Sequence, residues 1–249
     1  MNPMIRMRLA NKGRGDFRAE GNTLWMYDVI ASDDDEAMWM GGVSPRQFIA
    51  ALAETSGPVT LRLNSPGGSV FGAQAMVAAM RAHNAPITAQ IDSLAASAAS
   101  FIAAECAECV IAPGAMIMIH KAWGMTVGNS DDHSQVAALL DKIDGQIADT
   151  YARRAGDDDK EKYMAMMAAE TWLDADEAVA AGFADRLIEA NSQRPAAKWD
   201  LSAYAAAPWQ PAVEPEPQPA PEPAPASLQD ELRQARQRRV AARLVAEPV

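Results

Sequence analysis

The sequence predicts an α/β domain with a largely parallel sheet, and three observations support this fold class. Short apolar segments with the composition of strands alternate with longer segments of helical spacing. Residues that begin or stop helices fall between them: Ser44-Pro45 begins one helix, and Asn84-Ala85-Pro86 ends another. The 249 residues are 49% hydrophobic, which is enough for one sizeable core.

The predicted elements follow one another along most of the chain. Strand composition predicts strands at 23–30, 59–64, 87–92 and 116–119. Apolar spacing predicts helices at 44–55, 70–83, 97–104, 131–155, 160–168 and 174–181. Residues 33–36 predict an acidic turn, and residues 184–188 close the folded part.

The two ends of the chain differ from the middle in charge. The formal net charge is −11, yet residues 1–20 hold five basic and two acidic side chains. Residues 227–249 hold five Arg and three acidic side chains, so the middle carries 28 acidic against 12 basic groups. An acidic body repels phosphate backbones, so we expect no nucleic-acid partner for it. The ends are expected to be a flexible basic arm at 1–20 and a short basic helix at 227–249.

A proline-rich segment lies between the acidic middle of the chain and the basic helix expected at 227–249. Eight of the 16 prolines fall within residues 208–226, in a pattern that favours extended polyproline II and forms no core. The sequence therefore predicts a folded domain at 21–190 and a disordered proline-rich linker at 191–226.

The cysteines and the apolar segments indicate the compartment. Cys106 and Cys109 cannot make a disulfide framework, and their CxxC pair lacks further zinc ligands nearby, so we expect small buried side chains and no metal. Residues 1–8 lack the apolar region of a signal peptide, and charged residues interrupt the most apolar stretch, 87–119. We expect a soluble cytoplasmic protein without a membrane partner.

A glycine-rich loop follows the second predicted strand. Its sequence, Asn64-Ser65-Pro66-Gly67-Gly68-Ser69, exposes backbone N–H groups just before a helix, which suits a phosphate or an oxyanion. The nucleotide-binding pattern GxxxxGK[ST] is missing, and an ordinary turn is the alternative interpretation.

A serine and a histidine are the candidate reacting groups. Ser97 lies among alanines at a predicted helix start, where it is either a nucleophile or only an N-cap; Ser93 and Ser100 are its rivals. His120 directly follows the buried strand MIMI, at the end where reacting groups of α/β sheets collect. His83 and His133 have polar surroundings typical of the surface. Together, serine, histidine and loop would form an acyl-transfer site.

Four motifs in this order resemble one known family. SPGGS at 65–69, AAS at 95–97, Pro113 with MIMIH at 116–120, and TWLDADEAVAAGFAD at 171–185 resemble the Clp protease proteolytic subunits (ClpP). YDVI, WMGGVSPRQF and NSPGGSVFGAQAM are most similar to the ClpP-like prohead proteases of tailed phages, and the resemblance covers residues 21–190.

The resemblance implies a ClpP/crotonase-type fold of repeated β-β-α units, with 131–155 as the long handle helix. It also implies roles for single residues. Ser97 matches the nucleophile, His120 the general base, and the N–H groups of Gly68 and Ala98 the oxyanion hole. Ser65, Pro66 and Gly67 match the substrate-binding loop. Glu170 occupies the position of the third triad member, where the family has Asp, and Asp174 is the fallback.

The implied function is a serine endopeptidase that needs no cofactor. We expect it to form homo-oligomeric rings and to cleave capsid or scaffold proteins during phage prohead maturation, without ATP, in the host cytoplasm or procapsid. One alternative is a cellular Clp-type peptidase fed by an AAA+ ATPase. Another is a non-catalytic scaffold or shell protein on the same fold. Signal-peptide peptidases share the fold but need a catalytic lysine, and Lys121 would point away from the site. Crotonases share it too, but a CoA-pocket signature is missing.

Overall fold

An eight-stranded sheet organises the computed structural model of the chain, which describes residues 2–188 and 199–208. The strands are β1 (Asp16–Glu20), β2 (Thr23–Tyr27), β3 (Val59–Ser65), β4 (Ile87–Ala96), β5 (Glu108–Ile111), β6 (Met116–Ile119), β7 (Thr171–Asp174) and β8 (Arg186–Leu187). The helices are α1 (Pro3–Asn11), α2 (Asp34–Met40), α3 (Pro45–Ala53), α4 (Val70–Ala82), α5 (Ala98–Ala104), α6 (Ser130–Arg154), α7 (Lys160–Ala168) and α8 (Ala175–Ala180).

The sheet is mostly parallel, which confirms the predicted fold class. Its main path runs β1-β2-β3-β4-β5-β8, and only β1 with β2 and β6 with β7 pair in antiparallel fashion among the described strands. Strand β4 is the branch point. Its first half pairs with β5 from Thr88 to Ile91, and its second half pairs with β6 from Leu94 to Ala96. The end of β4 therefore lies beside the end of β6.

Two apolar clusters cover the two faces of the sheet around β4. Ala95 faces the larger cluster, which contains the apolar faces of α3, α4, α5 and α6. Its neighbours Leu94 and Ala96 point the other way, because side chains alternate along a strand, and they join a second cluster. That cluster contains Met7 of α1, Met118 of β6, and Trp199, Leu201 and Tyr204. Burial on both faces is typical of a parallel strand.

Local signals explain why the helices begin where they do. Ser44 caps α3 in a capping box with Gln47, and Pro45 occupies the first turn. Asn129 caps the 25-residue helix α6, and Arg153 and Arg154 lie in its last turn, where cations favour the helix dipole. The predicted helices at 44–55, 70–83, 131–155 and 160–168 are thereby confirmed within two residues at each end.

The expected flexible arm at residues 1–20 is not what the structure shows. Residues 3–11 form α1, which Asn2 caps with its side chain and Pro3 begins. Residues 16–20 form β1, which pairs with β2. Helix α1 has little apolar periodicity, so its sequence does not show that Met7 is buried against the second cluster.

Two further expectations need correction. The acidic turn predicted at 33–36 is instead the N-cap and first turn of α2, because Asp33 accepts the Glu36 N–H and three acidic residues favour the helix start. The predicted linker at 191–226 contains a packed segment, 199–208, in which Trp199, Leu201 and Tyr204 are buried. The rest of that linker and the basic helix predicted at 227–249 lie outside the described residues, and the bounds 21–190 stay a prediction.

In the part of the chain that the structure describes, none of the helices is both long and apolar enough to cross a membrane.

Candidate active site

Ser97 stands on a sharp turn between β4 and α5. Its backbone has φ 55° and ψ −125°, a region that non-glycine residues rarely adopt. The Ser97 N–H donates to the Met118 carbonyl at 2.8 Å, which ties the turn to β6. Ser97 occupies the N-cap position of α5, but its side chain makes no capping hydrogen bond, so the hydroxyl does not serve as a cap. A strained strand-to-helix turn that presents a serine hydroxyl is the geometry of a nucleophile elbow.

His120 meets that serine because β6 lies against the second half of β4. The ring nitrogen Nε2 of His120 lies 2.7 Å from the Ser97 Oγ. The imidazole is half-buried. A serine hydroxyl within hydrogen-bond distance of an imidazole is the pairing that general-base activation needs.

The glycine-rich loop packs its backbone directly against Ser97. Gly67 has φ +92°, and a Cβ there would lie 2.6 Å from the Ala96 carbonyl oxygen and 2.7 Å from the Ser97 Cβ. Gly68 has φ +148°, and a Cβ there would lie 2.1 Å from the Ile30 carbonyl oxygen. Both positions therefore require glycine. Ser65 stabilises the loop from within, since its hydroxyl donates to the Asp28 carbonyl and accepts the Gly67 N–H.

Two backbone N–H groups remain available beside Ser97. The loop is fixed by the Gly67 carbonyl, which accepts the Ile30 N–H, and by the Ser69 N–H, which donates to the Ile30 carbonyl. Between these bonds the Gly68 N–H has no acceptor among the described residues. Ala98 is the first residue of α5, so its N–H has no partner within the helix. Such N–H groups are suited to stabilise an oxyanion.

The site opens into one cavity of about 330 Å³. Ser97, His120, Gly68 and Ala98 lie on one side of it. The remaining lining is largely apolar, with Met7, Phe71, Trp123, Leu140 and Ile143 among its members. Two charged side chains, Arg8 of α1 and Glu36 of α2, also line it. The cavity therefore fits a ligand with apolar side chains that presents a polar group to Ser97.

Burial lowers the pKa of His120 to about 4. The nearby negative charge of Glu170 acts in the opposite direction and raises that pKa, but its effect is smaller. The imidazole is therefore neutral at physiological pH, which is the form that can accept a proton.

Glu170 lies near His120 but does not bond to it. The Glu170 Oε2 accepts the Ala205 N–H at 2.9 Å, and its Oε1 accepts the Ala206 N–H at 2.6 Å and the Trp172 indole N–H at 3.3 Å. Among the described residues no hydrogen bond joins Glu170 to His120. The structure thus places the predicted third member beside the imidazole while its oxygens are engaged elsewhere.

The fallback, Asp174, does not reach the site. Its side chain caps α8 by accepting the Glu177 N–H at 2.9 Å. In the register of β6 and β7, Asp174 lies opposite Met116 while Thr171 lies opposite Ile119. Asp174 is therefore at the end of β7 that is remote from His120.

Tyr204 is a site residue that sequence reasoning missed. Its ring packs edge-on against His120 with centroids 5.2 Å apart, and its hydroxyl donates to the Pro66 carbonyl at 2.6 Å. The residue falls in the segment predicted as linker. The available signal was the apolar and aromatic spacing of Trp199, Leu201 and Tyr204 ahead of the proline repeat.

The other serine, histidine and lysine candidates do not form the reacting pair. Ser100 donates to the Ser97 carbonyl at 2.6 Å and bonds to the Tyr151 hydroxyl at 2.8 Å, so it supports the turn from inside. His133 is exposed, and Lys121 is paired with Asp144 at 3.6 Å, away from Ser97.

The two cysteines are buried and free, as predicted, and burial raises the pKa of both thiols. Across residues 2–188 and 199–208, no group of three His, Cys, Asp or Glu side chains could hold a metal ion.

A serine hydroxyl paired with an imidazole, beside the backbone N–H groups of Gly68 and Ala98, is the arrangement of a hydrolase that works by acyl transfer. Comparison with known proteins narrows this class. The profile of the Clp protease family matches residues 43–191, which is more than half of the chain. The chain belongs to the Clp protease family and is a serine-type peptidase.

Individual relatives agree with the family profile. The chain is 27% identical over 178 residues to the ATP-dependent Clp protease proteolytic subunit of Leuconostoc citreum, covering 68% of this chain and 86% of the relative. It is 29% identical over 168 residues to that of Streptococcus pneumoniae, covering 66% and 85%. A shorter match, 34% over 120 residues, links it to that of Pleurastrum terricola, covering 44% and 61%. Helix α1 and the segment 199–208 lie outside the range that the family profile matches.

The lowered pKa of His120 predicts how reactivity depends on pH. The rate at which a fluorophosphonate labels Ser97 should hold from neutral pH down to about pH 4, because the imidazole stays unprotonated, whereas an ordinary histidine protonates near pH 6.5. The rate is measured across pH 3–8.

Circular dichroism at each pH is the control, because this histidine also affects stability. Its pKa is lower in the folded than in the unfolded chain, so its contribution to stability is lost as pH falls from about 6.5 through 4. An acid limb centred near pH 6.5 in folded protein would contradict the assignment.

Proposed function

We propose that the chain is a serine endopeptidase in which Ser97 is the nucleophile and His120 the general base. The observation that carries this proposal is the 2.7 Å contact between the Ser97 Oγ and the His120 Nε2 at the edge of an open cavity. The Gly68 N–H, which no described residue accepts, and the Ala98 N–H at the start of α5 support a peptide carbonyl as the group attacked.

The reaction balances with the groups present. The Nε2 of His120 accepts the proton of Ser97 as the Oγ bonds to the peptide carbonyl carbon, and the carbonyl oxygen becomes an oxyanion held by Gly68 and Ala98. Each of these donors would lower the barrier by about 3–4 kcal/mol. The imidazolium then gives its proton to the leaving amine as the C–N bond breaks, and water releases the acyl-enzyme by the reverse steps. The charge of Glu170 favours the imidazolium.

The substrate is expected to bind along the loop of Ser65, Pro66 and Gly67. Of these three residues Gly67 lines the cavity next to Ser97, together with Gly68 and Ser69, whereas Ser65 and Pro66 are buried beneath it. The apolar lining from α4 and α6 favours an apolar side chain near the scissile bond.

Self-association is supported by the exposed first half of α6 and the loop before it. Residues 130–142 of the helix lie almost wholly at the surface. Large apolar side chains are exposed in the same region: Met125 is 67%, Val127 94% and Leu139 46% exposed. Such a patch on a soluble chain is typical of an interaction surface. We propose that this handle packs against other copies in a homo-oligomeric ring, as the resemblance to ClpP implies.

The finer proposal is cleavage of capsid or scaffold proteins during prohead maturation, without ATP. Sequence motifs such as WMGGVSPRQF and the terminal regions outside the family match support it. The relatives' names, ATP-dependent Clp protease proteolytic subunits, favour the second candidate, a peptidase fed by an AAA+ ATPase. The third candidate, a non-catalytic scaffold, is disfavoured because it does not require a serine hydroxyl 2.7 Å from an imidazole in a strained turn.

Replacing the nucleophile tests the catalytic proposal. Ser97→Ala should fold as the native chain does, because the hydroxyl caps no helix, and it should lose fluorophosphonate labelling and peptide cleavage completely. Ser93→Ala, in the same strand and half-buried, is the matched control and should keep both. Undiminished labelling of Ser97→Ala would overturn the assignment.

A comparison of substrates tests the biological context. The full chain alone should cleave an unfolded protein at discrete sites without ATP, because a maturation protease acts on assembled partners and has no unfoldase. If only short peptides are cleaved, and proteins are degraded once an AAA+ ATPase and ATP are added, the cellular Clp alternative replaces the prohead proposal. Cleavage of a short peptide by the same preparation is the control, because it shows that the enzyme is active under either outcome.

A further inference from the structure

The segment 199–208 is attached to the catalytic loop at two points. The Trp199 indole N–H donates to the Asn64 Oδ1 at 2.9 Å, at the residue that precedes the SPGG motif. The Tyr204 hydroxyl donates to the Pro66 carbonyl inside that motif. Both contacts are buried, so they are stronger constraints than surface contacts would be.

The N-terminal helix fixes the same segment from the other side. The Asn11 side chain donates to the Asp200 carbonyl and accepts the Asp200 N–H, both at 2.8 Å. Asn11 is completely buried, and Met7 packs with Leu201 in the second cluster. A segment held by a buried amide and three buried apolar side chains is an integral part of the fold.

Within this segment Tyr204 reaches the general base. Its ring lies between His120 and Trp172, edge-on to both, at centroid distances of 5.2 Å and 6.0 Å with interplanar angles of 75° and 72°. Such edge-to-face contacts restrict the plane of a ring. Tyr204 therefore restrains the imidazole whose Nε2 is paired with the Ser97 Oγ.

Glu170 engages the neighbours of that tyrosine. Its two carboxylate oxygens accept the N–H groups of Ala205 and Ala206. The carboxylate thus fixes the backbone next to Tyr204, and Tyr204 contacts the imidazole. Charge-assisted hydrogen bonds to backbone N–H groups are strong enough to set this geometry.

We propose that Tyr204 is a positioning residue of the peptidase: it holds the His120 ring toward Ser97, and Glu170 acts on His120 through the segment 204–206. The inference rests on the proposed function of Ser97 and His120. It assigns to a residue outside the family match the orienting role that a carboxylate hydrogen bond plays elsewhere.

The position of the segment argues against an inhibitory role. The cavity that Ser97 and His120 face is lined by α1, the glycine-rich loop, α4, α5, α6 and the loop before α6, and no residue of 199–208 is among its described lining. The segment therefore contacts His120 through Tyr204 without lining the cavity.

The charged and titratable groups around His120 are few. Ser97, Glu170 and Tyr204 face it, and Arg8 of α1 acts on Tyr204 from the N-terminal side. Burial raises the pKa of the Tyr204 phenol well above its ordinary value, so Tyr204 stays a neutral donor to Pro66 throughout the working pH range.

Three variants of the full chain test the proposal. Tyr204→Leu removes the ring and keeps an apolar side chain; Tyr204→Phe keeps the ring and loses the hydroxyl; Tyr163→Phe is the control, at a buried tyrosine that packs on Phe183. We expect Tyr204→Leu to lower kcat for a peptide substrate by about 10- to 100-fold with KM within about twofold, because only orientation of the base is lost. Tyr204→Phe should stay within about threefold of the native kcat.

A readout that needs no activity accompanies the kinetics. Imidazole NMR titration in the Ser97→Ala background, with His83 and His133 as internal references, follows His120 alone. In Tyr204→Leu the His120 pKa should rise from its lowered value toward that of an ordinary histidine, as the ring that buries it is removed. The titration needs no peptide cleavage. A native chain that cleaves no peptide would therefore contradict the proposed function while the titration still tests the positioning by Tyr204.

Three results would overturn the proposal. An unchanged kcat and an unchanged His120 titration in Tyr204→Leu would show that the segment is only structural. A raised kcat would show that it inhibits. A loss in Tyr204→Phe as large as in Tyr204→Leu would place the effect in the hydroxyl bond to Pro66 rather than in the ring. If Tyr204→Leu does not fold, Tyr204→Met, which also removes the ring but keeps a longer apolar side chain, is measured in its place with the same expected loss of kcat.

Discussion

Strand β4 pairs with two different neighbours, and the geometry of the site follows from that branching. Because its second half pairs with β6, the last residues of both strands lie side by side, and the residues that follow them face each other. Ser97 leaves β4 on a strained turn that its N–H bond to Met118 of β6 holds in place. A residue in such a conformation costs about 1–3 kcal/mol, which the surrounding pairing offsets. The strained backbone conformation of Ser97 places its hydroxyl next to the His120 imidazole.

Close packing of the glycine-rich loop explains why backbone rather than side chains surrounds the nucleophile. The glycine-rich loop at the end of β3 approaches Ser97 so closely that no Cβ fits at Gly67 or Gly68. The loop backbone therefore packs against Ser97 directly, and the Gly68 N–H is the one in the loop that no described residue accepts. Alanines at 95, 96 and 98 allow this close packing on the strand side, so small residues on three segments produce one concave, preorganised site.

The fold class and the pairing of Ser97 with His120 were predictable, because each depends on sequence patterns within a few neighbouring residues. Val59–Ser65 reads as a strand before the glycines, and MIMI reads as a strand before His120. Strand β5 was missed, since Glu108–Ile111 is short and mixes a charge with a cysteine. The hydrogen bonds of Glu170 to Ala205 and Ala206, and the contact of Tyr204 with His120, were not predictable because they join positions distant in sequence. That segment is ordered by burial of Trp199 and Leu201, which composition beside a proline repeat does not reveal.

The proposed site combines a strained serine, the backbone N–H groups of Gly68 and Ala98, and an imidazole that Tyr204 contacts. A crystal structure of the full chain after reaction with a fluorophosphonate measures all three together. We expect phosphorus on the Ser97 Oγ, with the phosphonyl oxygen about 2.7–3.1 Å from the Gly68 and Ala98 nitrogens and the Tyr204 ring against His120. A phosphonyl oxygen directed away from both nitrogens, or phosphorus on another serine, would contradict it.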